Sequence, residues 1–104
     1  MEENNKIIAE FMGFTYEKNI GYYDNEMLLG QIVYDEQNGN CFDELLFDKS
    51  WDWLIAVVEK ILNICAENDD LEKYAVITDN IPYIQQTYDE CIKFINFYNK
   101  QKEE

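Results

Sequence analysis

The sequence predicts a single α+β domain in which three helices pack around a small, mostly antiparallel sheet, an α/β/α, sandwich-like arrangement. Three observations carry that prediction. Two long segments show helical apolar periodicity, one Asn-Gly dipeptide separates two apolar runs, and 47% of the 104 residues are hydrophobic. With 15% aromatic residues as well, the chain is too apolar for a disordered acidic tail. Residues 1–104 read as one domain, with no linker, repeat or low-complexity tract.

The first helix is expected from about Glu3 to Met12, where Ile7, Ile8, Phe11 and Met12 recur at helical spacing and Gly13 is a natural stop. Phe14-Thr15-Tyr16 then reads as a short strand and Lys18-Asn19-Ile20-Gly21 as a turn, with Tyr22 and Tyr23 opening a second strand or an open loop. A hairpin follows. Leu28–Glu36 and Asn40–Phe47 flank Asn38-Gly39, a dipeptide favoured where both turn residues need positive φ. A two-residue turn would pair Tyr34 with Asp43, Ile32 with Leu45 and Gly30 with Phe47. Val33 would meet Glu44 and Gln31 would meet Leu46 on the other face, so both faces carry apolar residues and call for cover.

The second helix spans about Ser50 to Glu67, with Ser50 as N-cap and Asp52 at the positive end of the helix dipole. Leu54, Val57, Val58, Ile61, Leu62 and Cys65 form its stripe, with Trp51 at the edge. Trp53 falls roughly 110° from the stripe centre and is expected to cover a flank. Asn68-Asp69-Asp70 breaks the helix, and Tyr74–Thr78 reads as a further strand. Pro82 suits the first turn of a last helix running to about Asn99, with Gln101–Glu104 frayed. Its stripe is Ile84, Tyr88, Cys91, Ile92, Ile95 and Tyr98, and Phe97 lies roughly 150° away from it.

Charge narrows the function. The chain carries a formal −14, with no arginine and no histidine. Such a surface repels phosphate, nucleic acid and anionic membranes, and attracts basic proteins. Without histidine the usual general base and the commonest metal ligand are missing, and a cysteine nucleophile has nothing to activate it. No phosphate-binding glycine loop or nucleophile elbow occurs. Asp35-Glu36, Asp43-Glu44 and Asp69-Asp70 are the tightest carboxylate clusters, but nothing marks one of them as a catalytic pair. Asp35–Asn40 lacks the glycine and oxygen-ligand positions of a calcium loop. The expectation is a non-enzymatic protein with no cofactor and no metal.

Cys41, Cys65 and Cys91 are too few and too widely spaced for a disulfide framework or a metal knuckle, and read as buried thiols of a reducing compartment. The first residues lack the charge and apolar run of a signal peptide, and no stretch approaches the ~20 apolar residues that span a bilayer. A soluble, cytoplasmic protein is expected.

Between Asn19 and Glu72 thirteen acids face two lysines, a net of −11, so most of the charge belongs to the hairpin, its flanking loops and the second helix. The bland reading is a solvated surface that keeps the protein soluble. The sharper one is a carboxylate array that docks into a basic nucleic-acid channel.

Three segments carry a family resemblance: Ile8–Gly13, Ser50–Ile61 with its Trp-Asp-Trp, and Tyr88–Asn99. Together they resemble the phage ABA-sandwich domain family, small proteins encoded by phages and prophages of Bacteroidetes-type bacteria. The resemblance covers the helices well and the strands poorly, and it implies a sheet between helical layers. Members have no established general activity, so it transfers no site. Where relatives often have Tyr-His before the tryptophan segment, this chain has Phe47-Asp48.

An acidic, non-enzymatic phage protein suits an inhibitor of a host nucleic-acid-directed defence complex, such as a CRISPR effector or a defence nuclease, which holds its strands in positively charged channels. Asp35, Glu36, Asp43, Glu44, Asp48 and Asp52 are the carboxylates expected at the contact with that basic protein or ribonucleoprotein, with Tyr34 and Phe42 as aromatic contributors. The alternative is an accessory phage protein that binds another phage protein or itself through Trp53 and Phe97. In either case the protein alone should not bind a bare DNA or RNA oligonucleotide at physiological salt, because no lysine cluster offers a counterion-releasing footprint. Fluorescence anisotropy with a labelled oligonucleotide checks this, and tight binding would refute it.

Overall fold

The computed structural model describes residues 2–29 and 41–103. In chain order these form α1 (Glu2–Phe11), β1 (Phe14–Glu17), β2 (Gly21–Asp24), β3 (Cys41–Phe42), α2 (Trp51–Glu67), α3 (Leu71–Thr78) and α4 (Ile84–Glu103). The class is α+β, as expected, but the described residues hold four helices rather than three.

α1 ends where Gly13 takes φ +82°, a left-handed conformation open to glycine, and its N–H bonds to the Glu10 carbonyl. Lys60 from α2 closes the same helix end. Its ammonium donates to the Phe11 carbonyl, lies 4.8 Å from the Phe11 ring centroid and pairs with Glu26 at 3.4 Å. That lysine supplies from another helix the cation α1 lacks, since α1, α2 and α3 have no base in their own last turns.

The sheet is antiparallel in the order β1-β2-β3, with Tyr16 opposite Tyr22 and Tyr22 opposite Phe42. Opposed residues share a face, so Tyr16, Tyr22 and Phe42 point one way and Thr15, Tyr23 and Cys41 the other. Phe42 meets Trp53 of α2 at 4.8 Å, Phe14 stacks on Phe42 at 6.4 Å, and Phe47 closes on Trp53 at 5.1 Å. The helical cover of the described sheet comes from this aromatic side. At Gly21 a Cβ would lie 2.5 Å from the Phe42 carbonyl oxygen, so a side chain there would push β3 off β2.

Several expectations change here. The hairpin's Asn38-Gly39 turn and the partners of its proposed pairs at residues 30–36 lie outside the described residues. Within them, Leu28 and Leu29 form a turn, and the second strand is confined to Cys41–Phe42, paired with β2. Asp43–Phe47 leaves the sheet instead of extending it.

Trp53 is only 3% exposed, not a flank cover. The sheet's aromatic rings cover α2 beside its stripe, so the buried arc extends to Trp53, Leu54, Ala56, Val57, Val58, Ile61 and Cys65. Ser50 has the extended N-cap backbone but makes no side-chain cap bond.

Tyr74–Thr78 lies within the helix α3, not a strand. A five-residue apolar run cannot separate strand from helix by periodicity, and tertiary packing decides. Tyr74 and Ile77, three apart, turn inward together, and Ile77 is 1% exposed. Asn80 Nδ2 bonds to the Val76 carbonyl and the Asp79 N–H to the Ala75 carbonyl, which satisfies the helix end.

Asn68-Asp69-Asp70 stops α2 as expected. Asp69 adopts φ +56°, while the Asp70 N–H reaches the Cys65 carbonyl and the Asp69 N–H the Ala66 carbonyl, the pattern of a Schellman ending. Pro82 sits two residues ahead of α4, after a cis bond to Ile81, rather than in its first turn. α4 continues through Gln101 to Glu103, past the expected end; Tyr98 packs edge-on against Phe11 at 5.7 Å three residues earlier.

The core joins Ile8 and Met12 of α1, Leu54, Val57 and Ile61 of α2, and Tyr88, Cys91 and Ile95 of α4. Trp53→Ala should cost about 3–5 kcal/mol and Leu54→Ala about 2–5 kcal/mol, whereas half-buried Trp51→Ala should cost less than Trp53→Ala. Urea unfolding measures all three, and a tolerated Trp53→Ala would contradict this packing.

Candidate partner-binding surface

After β3 the chain must cross from the sheet to the start of α2, and it does so with its backbone largely tied inward. The N–H groups of Lys49 and Ser50 both bond to the Leu46 carbonyl, at 3.1 and 2.9 Å, and Phe47 is fully buried as the anchor. Asn5 holds the outer part of this loop from α1. Its Nδ2 donates to the Leu45 carbonyl at 3.2 Å and to Asp48 Oδ1 at 3.1 Å. Its Oδ1 accepts from the Tyr88 hydroxyl at 2.8 Å.

That network sets the fate of each carboxylate. Asp43 and Glu44 are exposed at the bend just after β3. Asp48 is half-buried and engaged with Asn5, so it serves the loop's shape as well as its charge. Asp52 is exposed in the first turn of α2. Asp43, Glu44 and Asp48 line one open concavity of about 240 Å³, whose wall also includes Lys6, Lys49 and Tyr22. Asp52 is not part of that wall. Tyr34, Asp35 and Glu36 lie outside the described residues.

Phe42 belongs to the interior. At 7% exposure and wedged between Phe14 and Trp53, it supports the loop from beneath rather than offering a ring to a partner. Trp53 is likewise committed to the core, while Phe97 stays 41% exposed as expected, with Lys73 4.5 Å from its ring centroid.

An adjoining concavity of about 610 Å³ shares Lys6, Tyr22 and Asp43 with the first and adds Glu10, Phe14 and Tyr16. Tyr16 is 61% exposed and tilts over Tyr22 at 5.0 Å. The aromatic surface beside the acids is therefore Tyr16 with Tyr22, not Phe42. Sequence reading passed over Tyr16, and also Asn5. A signal existed for Asn5: it precedes Ile8 and Met12 by three and seven residues, a polar side chain on an apolar stripe.

No family model, curated protein or solved structure matches this chain. Among the described residues no three His, Cys, Asp or Glu side chains are placed to hold a metal ion, and no helix is long and apolar enough to cross a membrane. All three cysteines are free and buried.

Burial, with Asp48 and Asp89 nearby, pushes the Tyr88 phenol from an ordinary 10.0 up to about 12. The hydroxyl therefore remains a donor to Asn5 throughout the physiological range. Burial, helped by Glu90, likewise raises the Cys91 thiol from 9.0 to about 12. In both cases the folded state favours the protonated form, so the stability these groups lend is complete below the unfolded value and drains away as pH climbs. The urea midpoint should hold to about pH 9 and then fall. Tyr88→Phe leaves Asn5 Oδ1 without its donor and should cost about 1–3 kcal/mol at neutral pH. The gap between wild type and Tyr88→Phe should narrow between pH 10 and about 12; a gap independent of pH would contradict the assignment.

Proposed function

We propose that this is a non-enzymatic, phage-encoded protein that docks its acidic surface onto the basic channel of a bacterial nucleic-acid-directed defence complex, a CRISPR effector or a defence nuclease, and inhibits it by stoichiometric binding. The observation that carries the reading is the exposed Asp43–Glu44 pair beside Tyr16 and Tyr22, on a chain of charge −14. The carboxylates steer a cationic partner and set its register, and the tyrosines supply apolar contact area once it arrives. Asn5 contributes by holding the loop in place before binding, which lowers the ordering cost of association. The resemblance of the helical segments to the phage ABA-sandwich family supports the phage origin.

The alternative of an accessory phage protein that binds another phage protein or itself keeps Phe97 as its support but loses Trp53, which is buried.

The test is inhibition of a purified guide-loaded effector by the intact protein, together with a pull-down from host lysate at low and high salt. Asp43→Asn, Glu44→Gln and Asp52→Asn together should leave the fold unchanged, because exposed charges add little stability. They should slow association roughly tenfold at low salt and much less at high salt. Tyr16→Ala should speed dissociation instead. Full inhibition by the triple variant across the salt series would show that the acidic surface only solvates the protein.

A further inference from the structure

Charge and exposed apolar surface are distributed in opposite senses along this chain. Residues 1–70 carry sixteen carboxylates against four lysines, a net of −12, and residues 71–104 carry six against four, a net of −2. Among the described residues, five of the eight large exposed hydrophobics, Leu71, Val76, Ile81, Tyr83 and Phe97, belong to the second, nearly neutral stretch. Val76 of α3 and Phe97 of α4, 50% and 41% exposed, share an open groove of about 230 Å³ whose other apolar lining is Ile77 and Phe94.

The rim of that groove carries both signs. Lys73 holds Asp70 at 2.9 Å and Lys93 holds Glu90 at 3.0 Å, so each cation has an acid beside it. A surface of alternating sign is complementary to its own copy turned about a two-fold axis, where lysine can meet acid in both directions. We propose that the α3–α4 groove is a contact between two copies of this chain, with Val76 and Phe97 of one copy set against the groove of the other. A strongly basic partner is drawn instead to the more acidic residues 1–70, and a nucleic acid would meet Asp70, Glu72 and Glu90. Two copies that each carry −14 repel everywhere except where their acids are already offset, and this groove meets that condition. The contact shares no residue with the acidic surface and does not depend on the inhibitor reading. It is small, so the dimer is weak and concentration-dependent.

Sedimentation equilibrium from about 10 μM to about 1 mM protein tests it. The expected weight-average mass rises from the monomer's 12.5 kDa toward about twice that value. Phe97→Glu and, as a second variant at a more exposed position, Val76→Glu should each hold the mass at 12.5 kDa with an unchanged circular dichroism spectrum. A mass of 12.5 kDa at every concentration overturns the proposal. So does association that survives both substitutions.

Discussion

One buried side-chain amide ties α1 at once to α4 and to the loop that leads into α2. Asn5 is 7% exposed, and its two polar atoms reach α4 through Tyr88 and the Leu45–Asp48 loop through one carbonyl and one carboxylate. An asparagine amide inside a core is costly unless paired, which is why its partners are constrained in turn. α1 cannot rotate without withdrawing Asn5, and the loop cannot shift without leaving the amide hydrogens unpaired. The arrangement makes the outward direction of Asp43 and Glu44 a consequence of interior chemistry.

The same logic separates acid from core elsewhere. Asp24 is a fully buried carboxylate, and it accepts backbone N–H groups from Leu28 at 3.1 Å and Leu29 at 2.6 Å. Those backbone donors offset part of the cost of taking the carboxylate out of water. Exposed Asp43, Glu44 and Asp52 meet no comparable demand and remain available to solvent or to a partner.

Much of the architecture could be read from residue order. The stripes of α2 and α4, the stop at Gly13 and the break at Asn68–Asp70 are local events, governed by periodicity and backbone preference over a few residues. What could not be read depended on distant neighbours. Trp53 is buried because rings from β3 and the following loop arrive beside α2, and helical angles measured on α2 alone carry no trace of them. Residues 74–78 form a helix because α2 and α4 leave a groove for Tyr74 and Ile77, while their β-branched composition argued for a strand. For the candidate surface, the acids were visible in the sequence. Tyr16, Phe42 and Asn5 were assigned their places by strand register and by contacts spanning up to 83 positions.

The helix ends hold one more consequence. α1, α2 and α3 each finish without a base in the last turn, and α2 runs into Glu67, Asp69 and Asp70 at the negative end of its dipole. The Schellman bonds satisfy those carbonyls but leave their field, which Lys60 answers at α1 and Lys73, 2.9 Å from Asp70, answers only in part at α2. The remainder falls to mobile cations drawn from the surrounding water. In physical terms the folded molecule includes an atmosphere of potassium or sodium, and the cell's ionic composition becomes a structural component that no gene encodes.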